Sequence, residues 1–546
     1  MERTTKLAEW LNWVEEGWTM LPYLARGNKV YPELPETWTP AWQASSPYSF
    51  VLESGKSGRY TYVGTDPVSV LTGKGTEAKV LDLRTGESKP LHGDPLPLLE
   101  QWMRPYRAPR TPGWPDFRGG CAGFLGYDVI RSLEQIPVIA SDDAGFPDYL
   151  WMRMESQWIY DHQEHALYCA VHIPWKPDEG SKDSLNGDSL QPAEHPAGFP
   201  LTAEDKMKLQ LLYEQAEAKA QSMLKAWEQW ITGDTQERSA EQALTAARRQ
   251  KAASLLVPEV AGWDALESPF SKEAFQQAVE DIQEYIRNGD VFQVNLSLRR
   301  HVKLRSHPSQ VYEWLRVLNP SPYMGYLNSP GFALSSASPE LLIKLDGGKV
   351  TARPIAGTRR RGATPQEDAA MEAELLQTEK ERAEHIMLVD LERNDIGRIA
   401  AYGSVKVPEL MTIERYSHVM HLVSQVEGQL AEGKHAYDVI AAAFPGGTIT
   451  GAPKIRTMEI IEELEPVTRG PYTGSMGWID YNGDMELNII IRTLAVKDGI
   501  GYIQAGAGIV IDSEPYREYR ECHNKAKALI AAVMCSEEEA AAAALR

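Results

Sequence analysis

Residues 271–298 read SKEAFQQAVEDIQEYIRNGDVFQVNLSL, and this stretch contains a complete helix signal followed by a strand signal. Ser271 is a favourable N-cap, and apolar residues recur after it at the spacing of one helix face. The pattern predicts an amphipathic helix over 271–288 that ends at Gly289, because glycine often closes a helix. The apolar run Val291–Leu298 predicts a strand directly after it.

The elements predicted around this stretch do not alternate regularly. Apolar runs predict strands at 323–327, 332–336, 341–344, 474–479, 487–493 and 502–511. Long helices are predicted at 365–395 and 515–535. Because strands and helices do not repeat as strand–helix–strand units, the fold class is predicted to be α+β.

The N-terminal part of the chain differs in composition from the middle part. Residues 1–173 alternate short apolar runs with turns, which predicts strands such as 48–53 and 59–64. Composition then changes: 174–200 is rich in Pro, Gly, Ser and Asp, 201–230 has a long helical pattern, and 233–269 is polar. The helix either packs on the protein or docks a partner. We therefore predict four segments, at 1–173, 174–269 (linkers and a long helix), 270–535 and 536–546.

Composition excludes several functional classes. The 546 residues carry 56 Lys and Arg against 76 Asp and Glu, a net charge of -20, which disfavours nucleic-acid binding. Four cysteines without a CxxC pair indicate a reducing compartment. We find no apolar run of about 18 residues and no signal-peptide pattern, so a cytoplasmic protein without a membrane span is expected.

Two predicted helices carry carboxylates three residues apart. Glu381 and Glu384 lie in KERAE, and Glu518 and Glu521 lie in YREYRE. Residues at i and i+3 share a helix face, so each pair is either a solvated acidic face or half of a larger site. If the four carboxylates converge, their oxygens suit Mg²⁺.

Glycine-rich segments lie beside basic residues. Residues 444–454 read FPGGTITGAPK, and 505–508 read AGAG after a predicted strand. Arg492 and Lys525 are near these segments in the sequence. Exposed backbone N–H groups beside cationic side chains are typical of a carboxylate-binding site. The dinucleotide and phosphate-loop patterns are incomplete here.

Several long strings resemble the chorismate-binding family: PIAGTRRRG (354–362), KERAEHIMLVDLERNDIGR (380–398), FPGGTITGAPK (444–454), LNIIIRT (487–493) and AGAGIVIDS (505–513). The family includes the first components of anthranilate synthase and aminodeoxychorismate synthase, and the isochorismate and salicylate synthases. The resemblance implies two large β-sheets packed face to face with helices outside, both halves of the chain contributing strands. Residues 270–535 are then the chorismate-binding catalytic region.

The resemblance also implies roles for individual residues. Glu384 and Glu521 match direct Mg²⁺ ligands, and Glu381 and Glu518 match carboxylates that act through water. Glu340 matches the general acid that protonates the departing C4 hydroxyl, and the remaining catalytic positions are Gln293, His421, Thr448 and Ala356. The matching substrate contacts are Gly357, Tyr472, Arg492, Gly506, Gly508 and Lys525.

Two positions bear on the reaction. Gln293 occupies the place of a lysine base that activates water in the isochorismate and salicylate synthases. Glutamine does not deprotonate water but can hydrogen-bond ammonia, which favours the amine-forming branches. Ala356 occupies the place of a lysine that attacks the substrate in many aminodeoxychorismate synthases, which favours anthranilate synthase.

Other strings, FPGGTITGAPK (444–454) among them, resemble the aminodeoxychorismate branch of Bacillus-type bacteria. We therefore expect aminodeoxychorismate synthase, with anthranilate synthase as the alternative. A glutamine amidotransferase partner is implied as the ammonia donor for either reaction.

The strings VLES (51–54) and NPSPYM (319–324) resemble two walls of a tryptophan pocket. The implied regulatory residues are Glu53, Ser54, Pro320, Tyr323 and Met324. A second interpretation is a hairpin packed on a Pro-rich turn. A more distant alternative is a non-catalytic sensor of tryptophan or chorismate.

Overall fold

The computed structural model of the chain describes residues 1–31, 34–44, 46–55, 58–175, 201–232, 235–254, 266–415 and 419–545. The strands of its first half are β1 (Glu2–Arg3), β2 (Met20–Arg26), β3 (Ser49–Glu53), β4 (Tyr60–Gly64), β5 (Ser69–Lys74), β6 (Glu77–Asp82), β7 (Ser88–His92), β8 (Gly120–Leu125), β9 (Tyr149–Met154), β10 (Ser156–Asp161) and β11 (Ala166–Pro174).

The later strands are β12 (Gln293–Lys303), β13 (Tyr323–Asn328), β14 (Phe332–Ser338), β15 (Leu341–Asp346), β16 (Lys349–Ala352), β17 (Ile355–Arg360), β18 (Lys406–Arg415), β19 (Val419–Gln429), β20 (Gly451–Ala452), β21 (Ser475–Asp480), β22 (Met485–Ile489), β23 (Thr493–Lys497) and β24 (Ile500–Ile509). The helices are α1 (Leu7–Glu15), α2 (Thr39–Ala44), α3 (Pro95–Met103), α4 (Ala203–Thr232), α5 (Thr235–Ser254), α6 (Lys272–Asn288), α7 (Pro308–Leu318), α8 (Pro365–Gln377), α9 (Glu379–Gly397), α10 (Ala436–Ala443), α11 (Lys454–Leu464) and α12 (Pro515–Ala544).

The strands form two large sheets, and each sheet mixes strands from both halves of the chain. The first sheet has the order β1-β2-β11-β10-β4-β3-β13-β14-β23-β24-β12-β20, so β3 and β13 join the two halves. The second has the order β17-β19-β16-β15-β22-β21-β8-β9-β5-β6-β7, with β18 paired to β19 and the join at β21 and β8. The predicted α+β architecture, with both halves contributing strands, is confirmed.

The opening stretch 271–298 folds as its pattern predicts. The Ser271 hydroxyl accepts a hydrogen bond from the Ala274 N–H at 3.1 Å, and Gly289 closes α6 with φ of 83°. Strand β12 then pairs antiparallel with β24 from Val294↔Ile509 to Lys303↔Ile500. Alternate residues of β12, beginning with Val294 and Leu296, are buried in the largest apolar core, so the residues between them face the opposite side of the sheet.

The prediction of one strand over 487–493 is wrong. Strand β22 ends at Ile489 in the second sheet, and β23 begins at Thr493 in the first. Arg492 lies between them with φ of 51°, a left-handed conformation that residues with a Cβ seldom adopt. The apolar run LNIIIRT therefore carries the chain from one sheet to the other.

One helix prediction also needs correction. The single helix predicted over 365–395 is two helices, because Thr378 has extended backbone angles (φ −66°, ψ 109°) between α8 and α9. The helix predicted over 515–535 is present, and it continues through the predicted tail as far as Ala544. The tail sequence EEEAAAAALR is typical of a helix end.

The segment predicted as a polar connector after residue 233 contains α5. This helix is tied to the end of α12: the Arg248 guanidinium donates two hydrogen bonds to the Glu539 carboxylate, at 3.0 and 2.8 Å. Most of the predicted 174–200 linker lies outside the described residues. The segment boundaries at 173, 269 and 535 stay predictions.

Helix α4 packs into the protein core. Its residues Ala216, Ala220, Met223 and Trp227 are buried in the same apolar cluster as the strands of the first sheet. The Trp227 ring lies 6.0 Å from the Trp38 ring between centroids. The face of α4 that carries the helical pattern is thus covered by the protein itself. Among all described helices, none is both long and apolar enough to cross a bilayer.

We predict that Trp227→Ala lowers the free energy of unfolding by about 3–5 kcal/mol, because it leaves a large cavity in a closely packed core. Met207→Ala on the same helix is the matched control, since Met207 is 76% exposed and its loss should change stability by less than about 0.5 kcal/mol. Guanidinium denaturation measures both. If Trp227→Ala and Met207→Ala change the free energy of unfolding by equally small amounts, α4 is not part of the core.

Candidate active site

The candidate site lies where two glycines of β24 face β12. Gly506 lies opposite Ser297, and Gly508 lies opposite Asn295. The backbone N–H groups of Ser297 and Asn295 donate away from β24, to Glu465 and to the Thr450 carbonyl, at 2.8 Å each. Residues opposite one another in such pairs do not exchange hydrogen bonds across the ladder. The N–H and C=O groups of Gly506 and Gly508 therefore point away from β12, to the other edge of β24. On that edge the pairing of β23 with β24 ends at Ile503, before the two glycines.

Both glycines are required by close contacts. A Cβ on Gly506 would lie 2.4 Å from the Asn295 Oδ1 and 2.9 Å from the Tyr472 hydroxyl oxygen. A Cβ on Gly508 would lie 2.3 Å from the Gln293 Nε2. Glycine at these positions lets three polar side chains approach the strand backbone directly.

A lysine and an acidic pair approach the same glycines from α12. The Lys525 ammonium donates a hydrogen bond to the Gly506 carbonyl at 2.9 Å and lies 2.9 Å from the Glu521 carboxylate. Glu518 lies one turn before Glu521 on α12, which packs on β24. Helix α12 thus brings one cation and two carboxylates to β24.

Glu340 and Arg492 lie side by side because two crossovers between the sheets are hydrogen-bonded to each other. Glu340 precedes β15, where the chain leaves the first sheet, and Arg492 precedes β23, where it returns. The Ile489 N–H donates to the Glu340 carbonyl at 3.0 Å, and the Ala337 N–H donates to the Arg492 carbonyl at 3.2 Å. Two residues that are far apart in the sequence are therefore fixed next to each other by backbone groups.

Burial dominates the electrostatics of this pair. Burial raises the pKa of the Glu340 carboxyl to about 7, although the Thr448 hydroxyl and the charges of Arg492 and Lys525 act in the opposite direction. Burial also lowers the pKa of the Arg492 guanidinium from its ordinary value, against the effect of Glu340. Near neutral pH, Glu340 can hold a proton in a site that is otherwise rich in cations.

The second sheet contributes a histidine and a glycine. The His421 Nδ1 lies 2.9 Å from the Thr358 hydroxyl across the β17–β19 pair. Burial, and then the charge of Arg492, lower the pKa of His421 to about 4, so its ring is neutral at physiological pH. Gly357 has φ of 69° at an irregularity of β17, directly after the buried Ala356. The register of β17 against β19 therefore shifts between Ala356 and Thr358.

The carboxylates of α9 belong to a helix that packs on β17 and β19 of the second sheet. The Gln293 amide donates to the Glu384 Oε1 at 3.4 Å, which connects α9 to the start of β12. The Arg359 guanidinium donates to the Glu381 Oε1 at 2.6 Å, whereas the buried Glu381 Oε2 has no hydrogen-bond partner among the described residues. No three His, Cys, Asp or Glu side chains in the described part of the chain are grouped closely enough to share a metal ion.

The predicted regulatory residues lie where β3 pairs with β13. Glu53 lies opposite Met324. The Glu53 carboxylate accepts hydrogen bonds at 3.0 Å from the Trp38 indole and from the Tyr312 hydroxyl. One cavity, of about 420 Å³, is lined by Glu53, Ser54, Tyr323 and Met324, and a second, of about 460 Å³, by Glu53, Ser54, Met324 and Pro320. The structure brings these five residues to neighbouring cavities, and tryptophan binding there stays a prediction.

Two features of the site were not predicted from the sequence. Asn295 contacts Gly506 directly, although it reads as an ordinary strand residue. Behind it, the buried Arg469 guanidinium pairs with Glu465 at 2.6 Å and donates to the Asn295 carbonyl at 2.7 Å and the Ile449 carbonyl at 3.0 Å. This ion pair fixes β12 against the segment that carries Thr448. The only signal for Asn295 was a polar side chain in an apolar stretch, and Arg469 lies in a polar stretch, 467–474 (VTRGPYTG), that gave no such signal.

The geometry brings Arg492 and Lys525 near the buried Glu340 carboxyl, and comparison with known proteins gives the family. The model of the chorismate binding enzymes matches residues 48–531, so the chain belongs to that family. It is 44% identical to aminodeoxychorismate synthase component 1 of Bacillus subtilis over 91% of this chain and 93% of that protein. It is 40% identical to anthranilate synthase component 1 of Acetivibrio thermocellus, over 89% and 90%.

A solved structure gives the same result. The crystal structure of anthranilate synthase component I from Streptococcus pneumoniae superposes with a TM-score of 0.65 at 32% identity, covering 87% of this chain and 92% of that one. The predicted family is therefore confirmed, together with its fold.

Proposed function

We propose that this chain is the chorismate-aminating component of an aminodeoxychorismate synthase, which converts chorismate and ammonia to 4-amino-4-deoxychorismate and water. The observation that carries the choice of product is the 44% identity to the Bacillus subtilis enzyme of that name over nearly the whole of both chains. The Gln293 side chain, which lies beside Glu384, supports ammonia rather than water as the nucleophile. An amide cannot take a proton from water, so it cannot activate water for attack.

Anthranilate synthase is the second candidate, and one residue favours it. Ala356 has no nucleophile, so a covalent intermediate at that position is not possible for this chain. The 40% identity to an anthranilate synthase component is only slightly lower than the first value. Both candidates use the same substrates and differ in the carbon that receives nitrogen.

The residues of the chain divide the reaction between binding and proton transfer. The Arg492 guanidinium, the Tyr472 hydroxyl and the outward backbone N–H groups of Gly506 and Gly508 would hold the pyruvyl carboxylate. Glu340 would give its proton to the departing C4 oxygen, which leaves as water. The ammonia lone pair forms the new C–N bond as the C–O bond breaks, and the Glu340 carboxylate takes the proton that nitrogen then loses.

The acidic pairs fit a magnesium ion in their chemistry. Mg²⁺ prefers oxygen ligands, and it commonly takes one or two carboxylates, water and substrate oxygens. Glu384 and Glu521 would hold it, with Glu381 and Glu518 beside them. The buried Glu381 Oε2, which has no hydrogen-bond partner among the described residues, is one available acceptor. When bound, the ion would neutralise the ring carboxylate of chorismate and withdraw electrons from the ring. Lys525 and His421 would line the same pocket.

A glutamine amidotransferase is the proposed partner. The relatives that match this chain are named as component 1 of their synthases, which supports a second component. In the proposed complex that component releases ammonia from glutamine. Ammonium salts at alkaline pH should replace it, since they supply free ammonia directly.

A product assay tests the proposed function. The chain is incubated with chorismate, Mg²⁺ and ammonium salt at alkaline pH, and aminodeoxychorismate lyase is added to one half. We expect 4-aminobenzoate only in the half with lyase, because 4-amino-4-deoxychorismate keeps its pyruvyl group until the lyase removes it. Fluorescent anthranilate in the half without lyase would contradict this assignment and support the second candidate.

The pH profile tests Glu340 as the proton donor. A carboxyl with a pKa of about 7 in the free protein is protonated below pH 7 and loses its proton above it, so kcat/KM for chorismate at fixed free ammonia should fall about tenfold per pH unit above 7. Glu340→Gln should lower kcat by about 10²–10⁴-fold and remove this pH dependence.

Glu392→Gln is the matched control for this profile. Glu392 is a buried carboxyl within electrostatic reach of Glu340, and burial raises its pKa to about 8. Its loss should leave the fall above pH 7 in place. A wild-type profile that stays flat to pH 9, or a Glu340→Gln variant within threefold of wild type, would exclude Glu340 as the acid.

A further inference from the structure

Two side-chain carbonyl oxygens on β12 are buried without a hydrogen-bond donor. They are the Gln293 Oε1 and the Asn295 Oδ1, and neither has a partner among the described residues. Gln293 is 5% exposed and Asn295 is 8% exposed. Because the two residues are separated by one position on a strand, they point to the same face of the sheet. A buried carbonyl oxygen normally has a donor, so this pair indicates a ligand that supplies N–H or O–H groups.

The orientation of both amides is set by their surroundings. The Gln293 NH₂ faces the Glu384 carboxylate at 3.4 Å, and the Asn295 NH₂ faces the Thr448 carbonyl at 3.5 Å. Rotating either amide by half a turn would place its own oxygen against another oxygen, which is repulsive. The two amide oxygens are therefore the ends left for a ligand.

The backbone that carries the Asn295 side chain is held in place by its neighbours. The backbone N–H donates to the Thr450 carbonyl at 2.8 Å, and the backbone carbonyl accepts from Arg469 at 2.7 Å. The Asn295 Oδ1 lies directly against Gly506, where no side chain intervenes. The acceptor thus lies beside the glycine strand that the proposed function assigns to the substrate carboxylate.

We propose that Gln293 and Asn295 together form the ammonia-binding subsite, with Asn295 as a second residue that positions the nucleophile. This inference rests on the proposed function and names the atoms that hold its second substrate. Ammonia has three N–H donors and one lone pair, so two carbonyl acceptors can fix its orientation while the lone pair stays free to attack. As the C–N bond forms, nitrogen gains positive charge, and the two carbonyl dipoles stabilise that charge before a proton is lost to Glu340.

The test is a comparison of Michaelis constants in the Asn295→Leu variant, which keeps the shape of the side chain and removes the acceptor. With ammonium salt as the nitrogen source, we expect the KM for free ammonia to rise at least tenfold. The KM for chorismate should stay within threefold of wild type, since the carboxylate contacts are unchanged. Ser297→Ala is the matched control, because its hydroxyl is already bonded to Glu465 and Gln504, and its ammonia KM should stay within twofold.

A second variant keeps the test decisive if Asn295→Leu folds poorly. Asn295→Asp retains an acceptor oxygen at the same place, and its ammonia KM should stay within about threefold even if its added charge raises the chorismate KM. Circular dichroism and thermal denaturation establish that the variants are folded.

The outcomes separate this subsite from the proposed function. An unchanged ammonia KM in a folded Asn295→Leu, or equal rises of both KM values, would overturn the subsite and leave chorismate amination standing. A tenfold rise of the ammonia KM in Asn295→Asp would overturn it as well. A wild-type chain that consumes no chorismate with Mg²⁺ and ammonium would overturn the proposed function itself.

Discussion

The hydrogen bonds between the two sheet crossovers are the constraint on which the candidate site depends. At one crossover the chain leaves the first sheet after β14, and at the other it returns before β23. The Ser338 hydroxyl donates to the Ile489 carbonyl at 2.6 Å, beside the two backbone bonds that join Glu340 to Ile489 and Ala337 to Arg492. These three hydrogen bonds place the Glu340 carboxyl and the Arg492 guanidinium together in a buried position. Burial then outweighs their mutual attraction in setting the pKa of Glu340, and a proton donor near neutral pH results.

The glycines of β24 supply the second half of the site. Gly506 and Gly508 leave no side chains on this part of β24, so amides from β12 and the Tyr472 hydroxyl reach the strand backbone. Helix α9, packed on β17 and β19, and helix α12, packed on β24, then add carboxylates and Lys525. The overall charge of -20 therefore does not predict the charge of the ligand, because Arg492 and Lys525 place positive charge locally at the candidate site.

Local patterns predicted the elements that are determined locally. Helix α6 was recognisable from its Ser271 cap, its apolar face and Gly289, and several strands, β13, β14 and β15 among them, were recognisable from short apolar runs. The crossover at 490–492 was not, because LNIIIRT contains no turn residue and only the pairing of distant strands shows that the chain changes sheets. Helix α5 was missed because its sequence is polar, and its packing depends on Arg248 meeting Glu539, almost 300 residues later. Asn295 could not be distinguished from an ordinary strand residue without its register against Gly508. The site residues implied by the family resemblance cluster around the glycine strand, but their roles stay predictions.

We expect chorismate to bind across these two crossovers and the glycine strand. A crystal structure of the Glu340→Gln variant with chorismate and Mg²⁺ tests this binding mode. We predict that the pyruvyl carboxylate lies against Arg492 and the Gly506–Gly508 backbone, with the C4 hydroxyl within hydrogen-bond distance, about 2.6–3.2 Å, of residue 340. Chorismate bound instead between Glu53 and Met324, or bound with its C4 hydroxyl pointing away from residue 340, would contradict this binding mode.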